Sequence, residues 1–290
     1  QATFNEAWTS FSEGSNSYTV TVGQPVGLIY GFVNEGWYDA SDFKWNGSAW
    51  IPNPDIYTYD ATNKVYLDNE GNKFVDNSGI TGLSWGPGAM KLKDVDKNGK
   101  IDMNDKVVIG NTNPKHFGSF GINATYKGFD FMTNLNWVYG NQIYNATKIE
   151  LTSAYYKYRN SLKTNDVAYT QIDWATGERI TDTSVLTQMN SGATTWAPAA
   201  ARYATTSWAI EDGSFLRLNS LTIGYTFPKK LTKEQTLRIY VSGYNLYTWT
   251  KYTGYDPEVD TRRSSPATPG VDYSAYPKSR SYNIGVNMTF

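Results

Sequence analysis

The sequence contains no cysteine and a single histidine. Disulfides, zinc–thiolate centres and cysteine nucleophiles are therefore excluded, and a histidine-based catalytic triad would have to use His116. His116 stands just before a strand-like run, and no neighbouring residues complete a catalytic constellation. We interpret it as a surface or strand-entry residue, and the sequence predicts no enzyme.

Long apolar runs and an excess of one charge are also missing. No stretch approaches the roughly 18 consecutive apolar residues of a membrane helix, which excludes helical membrane spans. Lys and Arg total 26 against 27 for Asp and Glu, so the net charge of −1 creates no basic field that would attract nucleic acid. The residues from Gln1 to Asn5 lack the features of a signal peptide, and we expect a mature chain or a piece of a longer one.

Aromatic residues and glycines are abundant, at 16% of the chain and 25 residues respectively. Strands and strand ends favour such residues. From Tyr282 to Phe290, every even position is apolar or aromatic and every odd position is polar or glycine, which is typical of a strand with two different faces. This alternation predicts six strands, namely Tyr18 to Phe32, Phe117 to Tyr126, Phe129 to Asn141, Ser207 to Phe227 with a break that could fall at Asp212-Gly213, Thr236 to Trp249, and Arg280 to Phe290.

The connections between these strands alternate between short and long. Lys127-Gly128 and the segment from Pro228 to Gln235 are short, whereas those from Gln142 to Thr205 and from Lys251 to Pro277 are long. Outer-membrane barrels combine short periplasmic turns with long extracellular loops in this way. Aromatic residues at both ends of the runs would supply the interfacial girdles of such a barrel, namely Tyr126, Phe129, Trp137, Tyr139, Tyr247 and Trp249.

From the pattern alone, a water-soluble sandwich with an aromatic core remains an alternative. Six strands are too few for a closed membrane barrel, because the smallest has about eight and an open edge would leave unpaired backbone groups in lipid. A barrel interpretation therefore makes this chain the C-terminal part of a larger barrel.

Several residue strings, in their order and spacing, resemble the C-terminal end of the SusC-type TonB-dependent transporters of Bacteroidota. They span nearly all of the 290 residues, and together they are far more specific than any one of them. The strings are Val22 to Gly27 with Tyr30-Gly31-Phe32, Asp94 to Gly110 with Asn113-Pro114, Glu211 to Leu218, Ile223 to Pro228, Gly243 to Leu246, Tyr255 to Glu258, and Tyr276-Pro277 leading to Phe290.

The resemblance implies an all-β fold in which residues 1–290 form the C-terminal portion of an antiparallel transmembrane barrel of about 22 strands with a plugged lumen. It also implies an outer-membrane location in a Gram-negative bacterium and import of oligosaccharides or peptides. The expected partners are the lipid bilayer, a SusD-like lipoprotein lid and TonB, which would act through a plug and TonB box that precede this region. Phe290 resembles the terminal signal read by the barrel-assembly machinery, and we expect its deletion to lower the outer-membrane level.

The segment from Asp94 to Asp105 matches a twelve-residue calcium loop position by position. Glycine occupies the position of the sharp turn, and Lys100 would contribute its backbone carbonyl. An EF-hand pair is not expected, because the last ligand is Asp instead of Glu and the flanks are not helix-like. We predict a structural Ca²⁺ clamp in an extracellular loop, with a hydrated acidic turn as the alternative. The ligands would be Asp94, Asp96, Asn98, Lys100, Asp102 and Asp105.

A second group of carboxylates, Asp256, Glu258 and Asp260, lies in another presumed loop. Residues this close in sequence more often stay hydrated than serve as a glycosidase pair.

The alternative function of the chain is a soluble all-β carbohydrate-binding module with a structural calcium loop. Aromatic residues in the presumed loops are expected to pack together or contact a lid protein more often than a ligand. They are Trp37, Tyr38, Trp45, Trp50, Trp85, Trp174, Trp196 and Trp208.

Overall fold

The computed structural model describes residues 2–4, 17–80, 85–154, 158, 160–198, 204–232, 235–261 and 266–289. Strands predominate. They are β1 (Ala2–Phe4), β2 (Tyr18–Val20), β3 (Leu28–Gly31), β4 (Asn34–Trp37), β5 (Phe43–Trp45), β6 (Trp50–Pro52), β7 (Thr58–Asp60), β8 (Val65–Leu67), β9 (Met90–Leu92), β10 (Val107–Asn111), β11 (His116–Tyr126), β12 (Phe129–Tyr139), β13 (Gln142–Asn145), β14 (Ile210–Asp212), β15 (Phe215–Thr226), β16 (Thr236–Thr250), β17 (Val271–Asp272) and β18 (Ser281–Thr289).

The helices are short. Within the residues that the structure describes, two are α-helical, α1 (Ala146–Thr152) and α2 (Thr183–Met189), and the 3₁₀ turns are Ala40–Asp42, Met103–Asp105, Lys163–Val167 and Ser207–Ala209. Among the described residues, no helix has the length and apolar character needed to cross a membrane.

Five long strands form the main sheet, in the order β11-β12-β15-β16-β18, and each pair of neighbours is antiparallel. The register aligns apolar side chains of successive strands in rows across the sheet. One row contains Ala124, Phe131, Ile223, Val241 and Ile284. Its last three members are 50%, 49% and 79% exposed, so this face of the sheet, the apolar face, presents large hydrophobic side chains outward.

The opposite face, the polar face, carries hydrogen-bonded polar groups. Arg238 of β16 donates from Nε and Nη2 to the two carboxylate oxygens of Asp130 on β12, at 2.8 and 2.6 Å. This ion pair passes over Gly224 of the intervening strand, where a Cβ would lie 2.4 Å from Asp130 Oδ1. The predicted contrast between the two faces is therefore present in the structure.

Tight turns join the long strands at one end of the sheet, the tight-turn end. Lys127 and Gly128 form the two-residue turn between β11 and β12 and have φ values of 46° and 89°, as a hairpin turn that matches strand twist requires. The β15–β16 connection is also short. The opposite end, the long-loop end, carries the long connections, as the sequence predicts.

The described residues of the long connections pack into a folded layer at the long-loop end, which we call the loop layer (17–114, 140–212 and 251–277). Backbone hydrogen bonds join its three parts: Phe32 N–H donates to Thr205 O at 2.9 Å, and Tyr144 N–H donates to Gly270 O at 2.9 Å. Its main core draws on all three parts and includes Tyr18, Ile29, Phe32, Leu92, Tyr144, Ile149, Trp196 and Val271.

A second, mainly aromatic core lies mostly in the first part of the loop layer, and Leu186 of the second part completes it. The Tyr38 ring packs edge-on against Phe43 and Trp85, with ring centroids 5.5 and 5.8 Å apart, and the Trp85 indole N–H donates to Trp50 O at 3.1 Å. Trp50 is 4% exposed, as expected for loop packing, whereas Trp174 is 81% exposed. Packing therefore accounts for some of these aromatic residues and not for others.

One predicted strand is wrong. The run from Tyr18 to Phe32 is not continuous but folds back as the antiparallel pair β2 and β3, with Tyr18 opposite Ile29. Gly23 and Gly27 adopt φ values of 83° and 90°, which interrupt an extended backbone. The other strands agree with the prediction within a few residues, including the break at Gly213, although Phe290 lies outside the described residues and its role stays a prediction.

Candidate functional site

The acidic loop from Asp94 to Asp105 lies in the loop layer. One carboxylate oxygen from each of Asp94, Asp96 and Asp105 falls within 4.8 Å of the others. Asp105 is buried, Asp94 half-buried and Asp96 exposed. Three carboxylates this close repel one another unless a cation or hydrogen bonds compensate, and hard oxygens are the ligands that Ca²⁺ prefers.

Backbone amides fold the loop around these carboxylates. Gly99 N–H donates to Asp94 Oδ2 at 2.7 Å, and Asp105 accepts from the N–H groups of Val95 and Asp102 at 2.7 and 2.8 Å. Gly99 has a φ of 90°, consistent with its predicted place at the sharp turn. The loop is therefore preformed by its own sequence.

The remaining predicted ligands are arranged differently. Asn98 Nδ2 donates to Asp96 Oδ2 at 3.0 Å, so this side chain adjoins the cluster. The Asp102 side chain is outside the three-carboxylate group and instead accepts from Asn104 N–H at 2.7 Å, capping the 3₁₀ turn Met103–Asp105. Lys100 is exposed. The donor set suits Ca²⁺ at Asp94, Asp96 and Asp105, and Asp102 would have to turn to join them.

A second site centres on Arg217, a residue that the sequence reasoning did not single out. Its side chain is 3% exposed, with Nη2 bonded to Asp256 Oδ1 and Nη1 at 3.3 Å from Glu258 Oε2. Lys278 Nζ contacts the same Glu258 oxygen. The expectation of a hydrated carboxylate group is therefore wrong for Asp256, whose side chain is only 12% exposed.

Arg217, Asp256 and Lys278 border a cavity of about 220 Å³ at the long-loop end, which we call the arginine pocket. Arg217 lies on the polar face, in register with Asn136 and Thr248 of the neighbouring strands. The pocket is lined by Arg217, Asn245, Tyr247, Thr248, Thr250, Tyr255, Asp256, Pro257, Lys278 and Arg280. A charged residue within an otherwise apolar run, Phe215-Leu216-Arg217-Leu218, is the sequence signal that could have identified this site.

A third polar cluster, centred on Glu211, joins the second and third parts of the loop layer. Lys148 Nζ lies 3.1 Å from Glu211 Oε1 and 4.3 Å from the centre of the Trp208 ring. Thr253 donates to Glu211 from its backbone N–H at 2.9 Å and from its hydroxyl. Burial acts to raise the pKa of Glu211, but the bonds from Thr253 and the charge of Lys148 outweigh it and hold that pKa below its ordinary value.

Glu211→Gln should make the free energy of unfolding depend less on pH between pH 7 and pH 3. A carboxyl group with a lowered folded-state pKa adds stability above its unfolded-state pKa of about 4.3, and that stability is lost as the pH falls through the folded-state value. We expect the substitution to cost about 1 kcal/mol at neutral pH and less in acid. Thermal unfolding between pH 7 and pH 3 measures this. Glu178→Gln, at an exposed position, is the control, and parallel pH profiles for wild type and Glu211→Gln would contradict the assignment.

His116 begins β11, as predicted for a strand-entry residue. Its Nδ1 accepts a hydrogen bond from the Trp137 indole at 3.0 Å, and its ring stacks on Tyr139 with centroids 4.9 Å apart. These rings share the long-loop end of the apolar face with Tyr247 and Trp249, which are 51% and 49% exposed. At the tight-turn end the exposed aromatic residues are Tyr126 and Phe129.

No family model matches the chain. Among curated proteins, it is 32% identical over 228 residues to TonB-dependent receptor P3 of Formosa agariphila, a match that covers 76% of the chain and 21% of that receptor. It is 28% identical over 295 residues to TonB-dependent receptor P39 of the same organism, covering 95% of the chain and 26% of the receptor. TonB-dependent receptor SusC of Bacteroides thetaiotaomicron is 26% identical over 204 residues, covering 67% of the chain and 17% of SusC.

Solved structures give the same fold. A structure of the RagAB peptide importer in its closed-closed state aligns with a TM-score of 0.58 and 20% identity, over 94% of this chain and 24% of that chain. A structure of the RagAB peptide transporter aligns with a TM-score of 0.55 and 16% identity, over 96% and 25% of the two chains. The chain thus spans about a quarter or less of the proteins it matches.

The two-faced antiparallel sheet and these structural matches show the fold, and with the sequence matches to TonB-dependent receptors they define the class of protein as a segment of an outer-membrane β-barrel. Within this class, the chain is a relative of the SusC-type TonB-dependent receptors of Bacteroidota over most of its length. The sequence-based resemblance is confirmed, and so is the all-β fold class.

Proposed function

We propose that this chain forms part of an outer-membrane importer that works with a SusD-like lipoprotein and draws its energy from TonB. The cargo is an oligosaccharide or a peptide. The observation that carries the proposal is the similarity to SusC-type receptors across most of the chain, on a sheet whose two faces suit lipid and a polar lumen.

The exposed apolar rows argue against a soluble carbohydrate-binding module. In water, contiguous exposed apolar surface is costly and is rarely larger than a few hundred Å² on a monomer. In a barrel the same rows contact lipid, and the aromatic residues at the two ends of the sheet mark its two interfaces. The long-loop end would then face the outside of the cell.

The loop layer is the part of the chain suited to meet a partner and enclose cargo. It is a packed body with its own core, and so it can present a fixed surface to a lipoprotein lid. Interfaces favour exposed aromatic residues, and Trp174, Tyr255 and Tyr276 are 81%, 73% and 93% exposed. We infer that this chain supplies a binding and translocation surface and no catalytic residue, in line with relatives that are named as receptors and importers.

Affinity purification of the complete receptor from native outer membranes tests the proposal. We expect a lipoprotein lid to co-purify, and uptake of labelled oligosaccharide or peptide to stop when TonB is deleted. Recovery without any lipoprotein would contradict the partner assignment. Glycan cleavage that disappears with Asp256→Asn or Glu258→Gln would replace the importer by an enzyme.

We also propose that the acidic loop binds Ca²⁺ as a structural clamp in an extracellular loop. The close approach of Asp94, Asp96 and Asp105 supports this proposal, because a divalent cation would relieve the repulsion among them. The cation would fix β10, which follows the loop directly, relative to the strands that precede it.

Asp94→Asn with Asp96→Asn should abolish calcium binding while leaving the barrel folded. At a calcium concentration 100 times the dissociation constant, binding would stabilise the wild-type loop by about 2.7 kcal/mol, and the variant should lose that gain. Calorimetric titration and thermal unfolding with calcium or chelator measure both effects. Asp60→Asn with Asp68→Asn is the matched control, because these carboxylates shape other exposed turns and the Asn carbonyl oxygen can keep the bonds from the Thr62 and Glu70 backbone N–H groups. A wild-type protein indifferent to calcium would refute the site.

A further inference from the structure

We propose that the arginine pocket is a subsite that binds the acidic group, a carboxylate or a sulfate, of an anionic oligosaccharide. The inference rests on the proposed import function and names the class of cargo. It starts from Arg217, whose Nε is buried and has no hydrogen-bond partner among the described residues. Buried polar groups are almost always paired, so this unpaired donor is unusual. Arg217 also lines the pocket, where an anion would meet an excess of positive charge.

The charges around the pocket leave an excess of cations. Asp256 and Glu258 form ion pairs with Arg217 and Lys278, so two negative charges balance two positive ones. Arg280 also lines the pocket, is exposed, and forms no ion pair with any described residue. One positive charge therefore remains free to meet an anion. Guanidinium groups suit this role because their planar fork matches the geometry of carboxylate and oxyanion groups.

The rest of the lining favours a sugar as the carrier of that anion. Tyr255 is 73% exposed and offers a ring on which a sugar can stack. Asn245 and Thr248 add an amide and a hydroxyl, neutral groups that can pair with sugar hydroxyls. The cavity of about 220 Å³ accepts one or two sugar units and not a long chain, so we infer a subsite within a longer binding path.

The position of the pocket fits this role. Arg217 stands on the polar face at the long-loop end, where cargo would enter the lumen from the loop layer. An anion bound here would lie between the buried Arg217 and the exposed Lys278 and Arg280, and salt would weaken its attraction to the two exposed charges.

Lys278→Gln with Arg280→Gln, made in the complete receptor with its lipoprotein, tests the proposal. The matched control is Lys229→Gln with Lys230→Gln, which removes the same charge at the tight-turn end. Calorimetric titration would use four probes of similar length: an oligogalacturonate, a sulfated carrageenan oligosaccharide, a neutral malto-oligosaccharide and a tetraglutamate peptide. We expect an acidic oligosaccharide to bind, with affinity lowered at least about tenfold by the pocket variant, unchanged by the control, and weakened by salt.

The two acidic oligosaccharides distinguish a carboxylate from a sulfate. Equal binding of neutral and acidic oligosaccharides, or an acidic affinity that the pocket variant does not change, would overturn the subsite. Binding of the acidic peptide alone would overturn the sugar assignment, and so would failure to bind either acidic oligosaccharide. Outer-membrane level and lipoprotein recovery are measured on the same preparations, so a failure of the import proposal would be seen separately as loss of either one in the wild type.

Discussion

Arg217→Met should strongly destabilise the long-loop end of the sheet. The side chain is 3% exposed and pairs with Asp256, so its removal leaves a largely buried carboxylate without its partner. Breaking a buried pair in this way costs about 3–5 kcal/mol. We expect the 251–261 segment to separate from β15. On gels, the variant receptor should stop migrating as the folded form after heating to a lower temperature than the wild type requires. Hydrogen exchange of that segment measures the local effect.

A double substitution separates the loss of the pair from the loss of packing. Arg217→Met with Asp256→Leu removes both charges, and replacing a buried pair by apolar residues is often close to neutral. The double variant should therefore regain most of the stability that the single variant loses. A double variant as unstable as Arg217→Met alone would show that the stability lost is not electrostatic in origin.

Gly31→Val should separate two parts of the loop layer. A Cβ at Gly31 would lie 2.4 Å from the backbone carbonyl oxygen of Thr205, and backbone cannot move aside as a side-chain end can. The clash falls beside the hydrogen bond from Phe32 N–H to Thr205 O, which joins these parts. We expect a loss of about 3 kcal/mol, at the upper end of the range for overpacking. Thermal unfolding and lipoprotein recovery measure it.

Gly79→Val supplies the matched control within the loop layer. Gly79 is exposed, and a Cβ there would meet nothing within 4 Å. Its variant should unfold within a few degrees of wild type and keep the lipoprotein. Equal losses of stability in the two variants would mean that any added valine destabilises the loop layer. The close contact between Gly31 and Thr205 would then not be the cause.

The long strands could be predicted because their environment differs between the two faces at every second residue. The Lys127-Gly128 turn was readable because glycine marks a backbone that leaves the extended region. At Gly213 the glycine marks a close approach instead, since a Cβ there would lie 2.5 Å from Asn141 Nδ2. The prediction of one strand from Tyr18 to Phe32 failed because Val22 and Val26, which extend the apolar pattern, lie in an exposed connection between two short, largely buried strands. When residues are buried on all sides, no alternation distinguishes one strand from two.

The two candidate sites also differ in how far the sequence alone reveals them. The acidic loop is local in sequence, so its spacing alone places Asp94 and Asp96 near Asp105. The arginine pocket is assembled from β15, β16 and two segments near the end of the chain, and nothing in the spacing of Arg217 and Lys278 indicates that they meet. Pairing across a long connection becomes visible only once the strand register is known.

The shared core of the loop layer limits how cargo preference can change between paralogues. Tyr144, Phe32 and Val271 come from three different connections and are buried in one cluster. A chimera that takes a single connection from a related receptor would combine unmatched halves of that cluster and leave cavities or clashes in it. Exchange of all three connections together would keep the cluster intact. Specificity in such receptors would then be inherited as one block, and recombination between genes would succeed where its crossover points lie in the long strands.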